Sequence, residues 1–165
     1  MPKLLFDFGD RSAVAGWRAI DDRVMGGVTH SWLRHDPAGH AVFEGVVSLD
    51  RNGGFASVRC AAGPLGMHGA VDCVIDARGD GRRFKLSLFT DDAFDATSYQ
   101  AEFTPLANAW QVIRLPLQAF RATFRGREQP DSPAIDPGRI RQMGLMTAGR
   151  QAGGFALALR SVRLE

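Results

Sequence analysis

The sequence predicts one domain of the all-β class, built as a two-sheet sandwich, and three observations lead to this prediction. Apolar and polar residues alternate along many segments, as in a strand whose successive side chains point to opposite faces. The 19 glycines and eight prolines suit short strands joined by tight turns better than a helical bundle. No segment of more than ten residues has the periodicity of a helix. With 165 residues, the chain is long enough for a single domain over 1–165 with one sizeable core.

The strands are expected at intervals of about 8–14 residues, which is typical of a sandwich. Turn signals rich in glycine, asparagine and aspartate separate them at 36–39, 52–54, 79–81 and 149–154. The stretch 116–138 contains four prolines and is expected to be irregular and to wrap one edge of the sandwich. The expected strands cover residues 4–8, 17–20, 28–34, 40–49, 54–60, 70–78, 82–90, 98–104, 109–115, 140–148 and 155–164.

The apolar phase of the alternating strands predicts which side chains form the core. Leu86, for example, has polar neighbours on both sides, Lys85 and Ser87. Val112 is included, although it shares its phase with Arg114. The predicted core residues are Phe84, Leu86, Leu88, Tyr99, Phe103, Trp110, Val112, Leu157 and Leu159.

Charge argues against nucleic acid as a partner. The net charge of +2 is weak evidence for any charged partner. Of the 20 basic residues only Lys3 and Lys85 are lysines, and eight arginines between 121 and 163 make a mild basic bias. No dense basic run with interleaved aromatic residues indicates a nucleic-acid-binding surface.

Targeting signals and cysteine usage point to the cytoplasm. No segment approaches the ~18 apolar residues that a membrane span needs. Residues 1–10 contain neither the apolar core of a signal peptide nor an arginine-rich presequence. Cys60 and Cys73 lie in apolar, strand-like runs and are expected to be buried free thiols. We therefore expect a soluble cytoplasmic protein that does not span a membrane.

No set of residues has the spacing of a catalytic site. No serine stands in a Gly-x-Ser-x-Gly elbow, and the acid pairs at 21–22 and 91–92 would point to opposite faces of a strand. His30 and His40 could face each other across a hairpin as a two-histidine metal site, with His35 nearby, but no third ligand is evident. No glycine-rich phosphate loop precedes a helix. We expect a non-catalytic protein with no metal and no cofactor.

Candidate binding residues lie in one loop and on the polar phase of three strands. Loop 21–31 contains a glycine pair and is either closed by its own hydrogen bonds or binds a ligand or partner. Arg59 either binds a sugar, a carboxylate or a peptide, or it packs its aliphatic stem over a neighbouring strand. If the three strands are neighbours, these side chains form one patch on the concave sheet face, with the loop at its rim. The candidate residues are Asp22, Arg23, Phe55, Ser57, Arg59, Lys85, Ser87, Phe89, Gln100 and Glu102.

A series of motifs along nearly the whole chain resembles the complex I intermediate-associated protein 30 family. The Val-Met-Gly-Gly block at 24–27 and the Gly-Gly-Phe-Ala-Ser-Val-Arg block at 53–59 are specific in combination. One departure is Thr29, where the family pattern usually has serine, and a hydroxyl is retained. The other matching positions are Trp17, Asp21–Arg23, Phe43–Gly45, Gly79–Arg82, Ser98–Phe103, Trp110-Gln111, Leu115-Pro116, Phe124–Arg127 and Gly144–Met146.

This resemblance implies a galactose-binding-like jelly roll, related in shape to several carbohydrate-binding modules. Relatives in mitochondria assist assembly of respiratory complex I, and in photosynthetic lineages similar domains accompany a nucleotide-binding fold. Without a presequence or a second domain, this chain is expected to be a free-standing bacterial member.

Two functions remain open from the sequence. The first is an assembly factor or chaperone-like module that holds another protein, for which a respiratory complex I subunit or intermediate is the partner implied. The alternative is a module that binds carbohydrate or another small ligand on the concave sheet face. Sugar platforms usually need several exposed aromatic rings, and here only Phe55, Phe89 and Trp32 are candidates.

Overall fold

The computed structural model describes residues 2–20, 29–50, 54–90, 97–124, 127–149 and 151–165. These residues form two antiparallel sheets, and the predicted all-β sandwich is confirmed. In chain order the strands are β1 (Lys3–Asp7), β2 (Arg18–Ala19), β3 (His30–Asp36), β4 (His40–Val47), β5 (Ser57–Arg59), β6 (Asp72–Arg78), β7 (Phe84–Thr90), β8 (Ser98–Phe103), β9 (Trp110–Pro116), β10 (Arg121–Phe124), β11 (Arg127–Glu128), β12 (Ile140–Thr147) and β13 (Gly153–Leu164).

The strands are divided between the sheets by long-range pairing. The first sheet has the order β3-β4-β13-β6-β9, and β1 also pairs with β13. The second sheet has the order β11-β10-β8-β7-β12-β5-β2. In the second sheet, therefore, β12 lies between β5 and β7, although it begins 50 residues after the end of β7 in the chain (140 against 90).

The core lies between the two sheets, and aromatic rings from both meet there. The ring centroids of Phe43 in β4 and Phe84 in β7 are 6.3 Å apart, and Phe155 of β13 lies 4.9 Å from Phe43. Burial confirms most of the predicted core. The predicted residues that are buried are Phe84, Leu86, Leu88, Tyr99, Phe103, Leu157 and Leu159.

The prediction was wrong for Trp110 and Val112. Trp110 is only half-buried and Val112 is 57% exposed, because β9 turns the opposite phase inward. Ile113 packs against the core and Leu115 is buried, so Arg114 and the two mispredicted residues face outward. Burying the other phase would have placed the Arg114 guanidinium between the sheets, at a large desolvation cost.

The stretch 116–138 is more regular than expected. Leu117–Ala119 forms a 3-10 turn, and β10 and β11 form a short hairpin whose first strand pairs with β8. Strands of four and two residues are too short to give a recognisable alternation. The hairpin extends the second sheet beyond the strands that the sequence predicted.

Both cysteines are buried free thiols, as expected. Burial raises the pKa of the Cys73 thiol to about 12 and also raises the pKa of Cys60. Among the described residues, no helix has the length and apolar character needed to cross a bilayer.

Candidate binding face

A row of five residues crosses the outer face of the second sheet. Gly144 of β12 is directly opposite Arg59 on one side and Ser87 on the other. Ser87 is opposite Gln100, and Gln100 is opposite Arg121. Directly opposed residues of antiparallel strands project to the same face, so these positions form one continuous row, which we call the central row. The face that carries it is called the polar face below.

Two further rows flank the central row. On one side, Ser57 is opposite Met146, Met146 is opposite Lys85, and Lys85 is opposite Glu102. On the other side, Gln142 is opposite Phe89. The structure therefore brings seven of the candidate binding residues onto one face, and their role in binding stays a prediction. These seven are Ser57, Arg59, Lys85, Ser87, Phe89, Gln100 and Glu102.

The remaining three candidates are not part of these rows. Phe55 precedes β5, is half-buried, and lines neither of the depressions described below. Asp22 and Arg23 lie outside the described residues.

Arg59 is the most unusual charged group of the polar face. Its guanidinium carbon lies 4.2 Å from the centre of the Phe89 ring, a cation–π contact. The pKa of Arg59 is lowered, first because the guanidinium is partly buried and second because Arg18 lies nearby. Arg18 is the residue directly opposite Arg59 in the β2–β5 pair.

A depression of about 180 Å³ lies beside the Arg59–Phe89 pair. Three hydroxyl residues that line it, Ser87, Ser98 and Thr123, are buried. Gly144 also lines it, and a Cβ added there would lie 3.8 Å from Phe89 Cε2 and 3.9 Å from Arg59 Cγ. The depression thus exists partly because this position has no side chain.

Hydrogen bonds hold several of the polar groups around this depression. Gln100 Nε2 donates to Ser98 Oγ at 3.3 Å, and the Thr123 hydroxyl donates to the backbone carbonyl of Arg121 at 3.1 Å. The Ser57 hydroxyl donates to the carbonyl of Ile20, which ties β5 to the end of β2. These side chains are therefore positioned before any partner binds.

A second, wider depression of about 460 Å³ adjoins the first and shares Gln100 and Thr123 with it. Lys85, Glu102, Arg121 and Glu128 line it with charges of both signs. Glu102 also forms an ion pair with Arg83 at 3.5 Å, and both side chains are about half exposed, at 50% and 52%. Such exposed pairs contribute little to stability, so these charges are available for a partner.

Sequence reasoning missed several residues of the polar face. Arg121 and Thr123 lie on β10, which was not predicted. Gly144 and Met146 lie on β12, where they share the outward phase of Gln142. The alternation along β12 is visible in the sequence. Only the pairing of β12 with β5 and β7 shows that Gly144 and Met146 belong to the polar face.

The possible two-histidine metal site is not formed. His30 is opposite Val46, whereas His40 is opposite Asp36 at the other end of the β3–β4 hairpin. Within the described ranges, no three His, Cys, Asp or Glu side chains group together as metal ligands would.

Comparison with known proteins first identifies a family. The sequence model of complex I intermediate-associated protein 30 matches residues 6–159. An uncharacterized protein of Schizosaccharomyces pombe is 29% identical, over 89% of this chain and 76% of its own length. The mitochondrial complex I intermediate-associated protein 30 of Drosophila melanogaster is 25% identical over 98% of this chain, which spans 62% of that protein.

Solved structures with a similar fold include carbohydrate-binding modules and agarases. One is a family 11 carbohydrate-binding module from Clostridium thermocellum, solved with a β-1,3-1,4-mixed-linked tetrasaccharide. It is 18% identical to this chain with a TM-score of 0.69, and the superposition covers 99% of this chain and 94% of the module. An agarase is 13% identical with a TM-score of 0.62, and the superposition covers 99% of this chain and 26% of the agarase chain. At these identities the likeness shows the fold alone, a galactose-binding-like jelly roll.

Proposed function

This chain belongs to the complex I intermediate-associated protein 30 family, and from that membership we propose that it is a non-catalytic module that binds another protein during assembly of a larger complex. We propose the polar face as the binding surface and a subunit or intermediate of respiratory complex I as the partner. The Drosophila relative, whose name refers to complex I, supports this choice of partner.

The observation that carries the proposal is the continuous central row from Arg59 to Arg121. It presents two cations, a hydroxyl and an amide across five neighbouring strands, beside the ring of Phe89. Protein interfaces are enriched in arginine and aromatic residues, and side chains that are already positioned lose less entropy on binding. A rigid sheet face with these groups suits recognition of a folded or extended polypeptide.

Capture of partners from the native host tests this proposal. We expect the double variant Arg59→Ala, Gln100→Ala to lose proteins that the tagged wild type captures, identified by mass spectrometry as respiratory complex subunits. The matched control is Arg139→Ala, Arg141→Ala, which removes two arginines near the start of β12. Both variants should keep the circular dichroism of the wild type. Loss of the partners in the control alone would assign binding to the basic C-terminal region instead.

Binding of carbohydrate is the second candidate function. It is supported by the fold shared with a carbohydrate-binding module that was solved with a tetrasaccharide, and by the hydroxyl-lined depression beside Phe89. Isothermal titration with a β-1,3-1,4-mixed-linked tetrasaccharide distinguishes the two candidates. Saturable binding that is lost in Arg59→Ala, Gln100→Ala would favour the carbohydrate function.

We also propose that the protein works in a reducing compartment, the cytoplasm. The two buried thiols, Cys60 and Cys73, are in the free state that such a compartment maintains. Fractionation of the native host, followed by detection of the protein in the cytoplasmic fraction, tests this placement.

A further inference from the structure

Two arginines are directly opposed across the β2–β5 strand pair. Arg18 is the cross-strand partner of Arg59, and like charges in this position destabilise a sheet. In the described ranges, neither guanidinium forms an ion pair with an aspartate or glutamate. The two positive charges are thus held together at one end of the central row without a described carboxylate between them.

The contact of Arg59 with Phe89 leaves its hydrogen-bond donors available. The guanidinium carbon lies 4.2 Å from the centre of the Phe89 ring, and a guanidinium that packs on a ring in this way can still donate through its N–H groups. A guanidinium edge matches a carboxylate, because two parallel N–H groups can donate to its two oxygens. The depression beside the pair, at about 180 Å³, has room for one side chain.

The same contact argues against a sugar at this position. The Arg59 guanidinium lies over one face of the Phe89 ring, so a sugar cannot stack on that face. The hydroxyl of Ser87 lines the depression and can donate to an oxygen acceptor.

We propose that Arg59, with Arg18 beside it, binds the carboxylate of an aspartate or glutamate side chain on the partner protein. This inference rests on the proposed function, since it names the chemistry that the polar face recognises. The carboxylate neutralises the opposed arginines and enters the depression over Gly144.

Nuclear magnetic resonance with a capped amino acid tests the inference. The probe is N-acetyl-glutamate N-methylamide, and the uncharged control is the glutamine analogue at the same ionic strength. We expect the Arg59 Nε–Hε signal, assigned by its absence in Arg59→Gln, to shift saturably with the glutamate probe only. Affinity, followed in every variant by the backbone amide signals, should fall at least about tenfold in Arg59→Gln, as for loss of a charge-assisted hydrogen-bond pair. The control Arg141→Gln, an exposed arginine near the start of β12 and outside the rows of the polar face, should bind as the wild type.

Two further measurements could contradict the inference: titration with other ligands, and a pH titration of the ligand-free protein. Tighter binding of inorganic phosphate, of glucuronate or of the mixed-linked tetrasaccharide at Arg59 would overturn the choice of a protein carboxylate. A shift of the Arg59 Nε–Hε signal between about pH 3 and 5 without ligand would show that a carboxylate of this chain already neutralises it, because aspartate and glutamate titrate there.

The outcomes separate this inference from the proposed function. If Arg59→Ala, Gln100→Ala loses the captured partners but the glutamate probe does not bind, the polar face stands as the interface and the carboxylate inference fails alone. If that double variant keeps its partners, the proposed function fails.

Discussion

Arg160 lies over Trp110 on the outer face of the first sheet, with its guanidinium carbon 3.9 Å from the centre of the indole ring. Arg78 makes a second, looser contact with the same ring at 5.0 Å, and the His40 ring packs against it in a T-shaped arrangement with the two centroids 5.2 Å apart. These neighbours let a large aromatic side chain remain outside the core, because two guanidinium groups lie over its ring in cation–π contact. Because Trp110 lies on the outer face, Val112, two residues further along β9, is expected to face outward as well, and this orientation can be tested.

The phase of the strands is tested by a core and a surface substitution. Leu86 is fully buried, so Leu86→Ala should lower the free energy of unfolding by about 2–5 kcal/mol. Val112→Ala should change it by less than about 0.5 kcal/mol, since that side chain is 57% exposed. Urea denaturation measures both. A large loss in the valine variant would mean that β9 turns its other face to the core.

The depression on the polar face depends on Gly144. A Cβ at this position would lie 3.2 Å from the carbonyl oxygen of Val58, so Gly144→Ala requires a shift of a few tenths of an ångström. We expect the free energy of unfolding to change by less than about 1 kcal/mol, because alanine also restricts the unfolded chain. Binding of the glutamate probe should weaken, since the methyl group enters the site.

The matched control for this change is Gly154→Ala on β13 of the other sheet. There an added Cβ would meet only the carbonyl of Gly45 at 3.9 Å. Equal loss of binding in the two alanine variants would show that the depression is not the site.

Stability should fall in mildly acidic solution because of His40. Burial lowers the pKa of its imidazole, the cations Arg78, Arg160 and Arg34 lower it further, and Asp36 opposes them. The folded protein therefore binds fewer protons than the unfolded chain once the pH falls below about 6.5, the ordinary value for histidine. Protonation then favours the unfolded state, so this contribution to stability is present at neutral pH and is lost as the pH falls through the folded-state pKa.

The measurement is the free energy of unfolding between about pH 7.5 and 5. His40→Gln should show a smaller decrease over this range than the wild type. An unchanged slope in the variant would assign the pH dependence to other groups.

The two thiols should be unreactive in the native protein. Cys73 is fully buried with a pKa of about 12, and the sulfur of the buried Cys60 accepts the backbone N–H of Met143 at 3.3 Å. Reaction requires the thiolate and access to it, and burial removes both. Ellman's reagent at pH 8 should therefore detect no thiol in the folded protein and two per chain in urea. Rapid native labelling of either cysteine would contradict the packing described.

The alternation of residues by itself determined the fold class and most of the division between core and surface. Leu86 and Ser87 point to opposite faces of β7 because a strand has a period of two, and this holds whichever strands are its neighbours. The polar-phase residues of β5, β7 and β8 could be selected for the same local reason. The family resemblance, carried by short motifs, was likewise readable without coordinates.

Only the tertiary structure decided which strands are neighbours. β12 separates β5 from β7, and this placement brings Gly144 between Arg59 and Ser87. Pairing joins segments far apart in the chain, and its energy comes from contacts that no local pattern records. The opposition of Arg18 to Arg59 depends on the pairing of β2 with β5, which the prediction of a strand at 17–20 could not supply. The phase of β9 was decided in the same way, because the desolvation cost of Arg114 outweighed the gain from burying Val112.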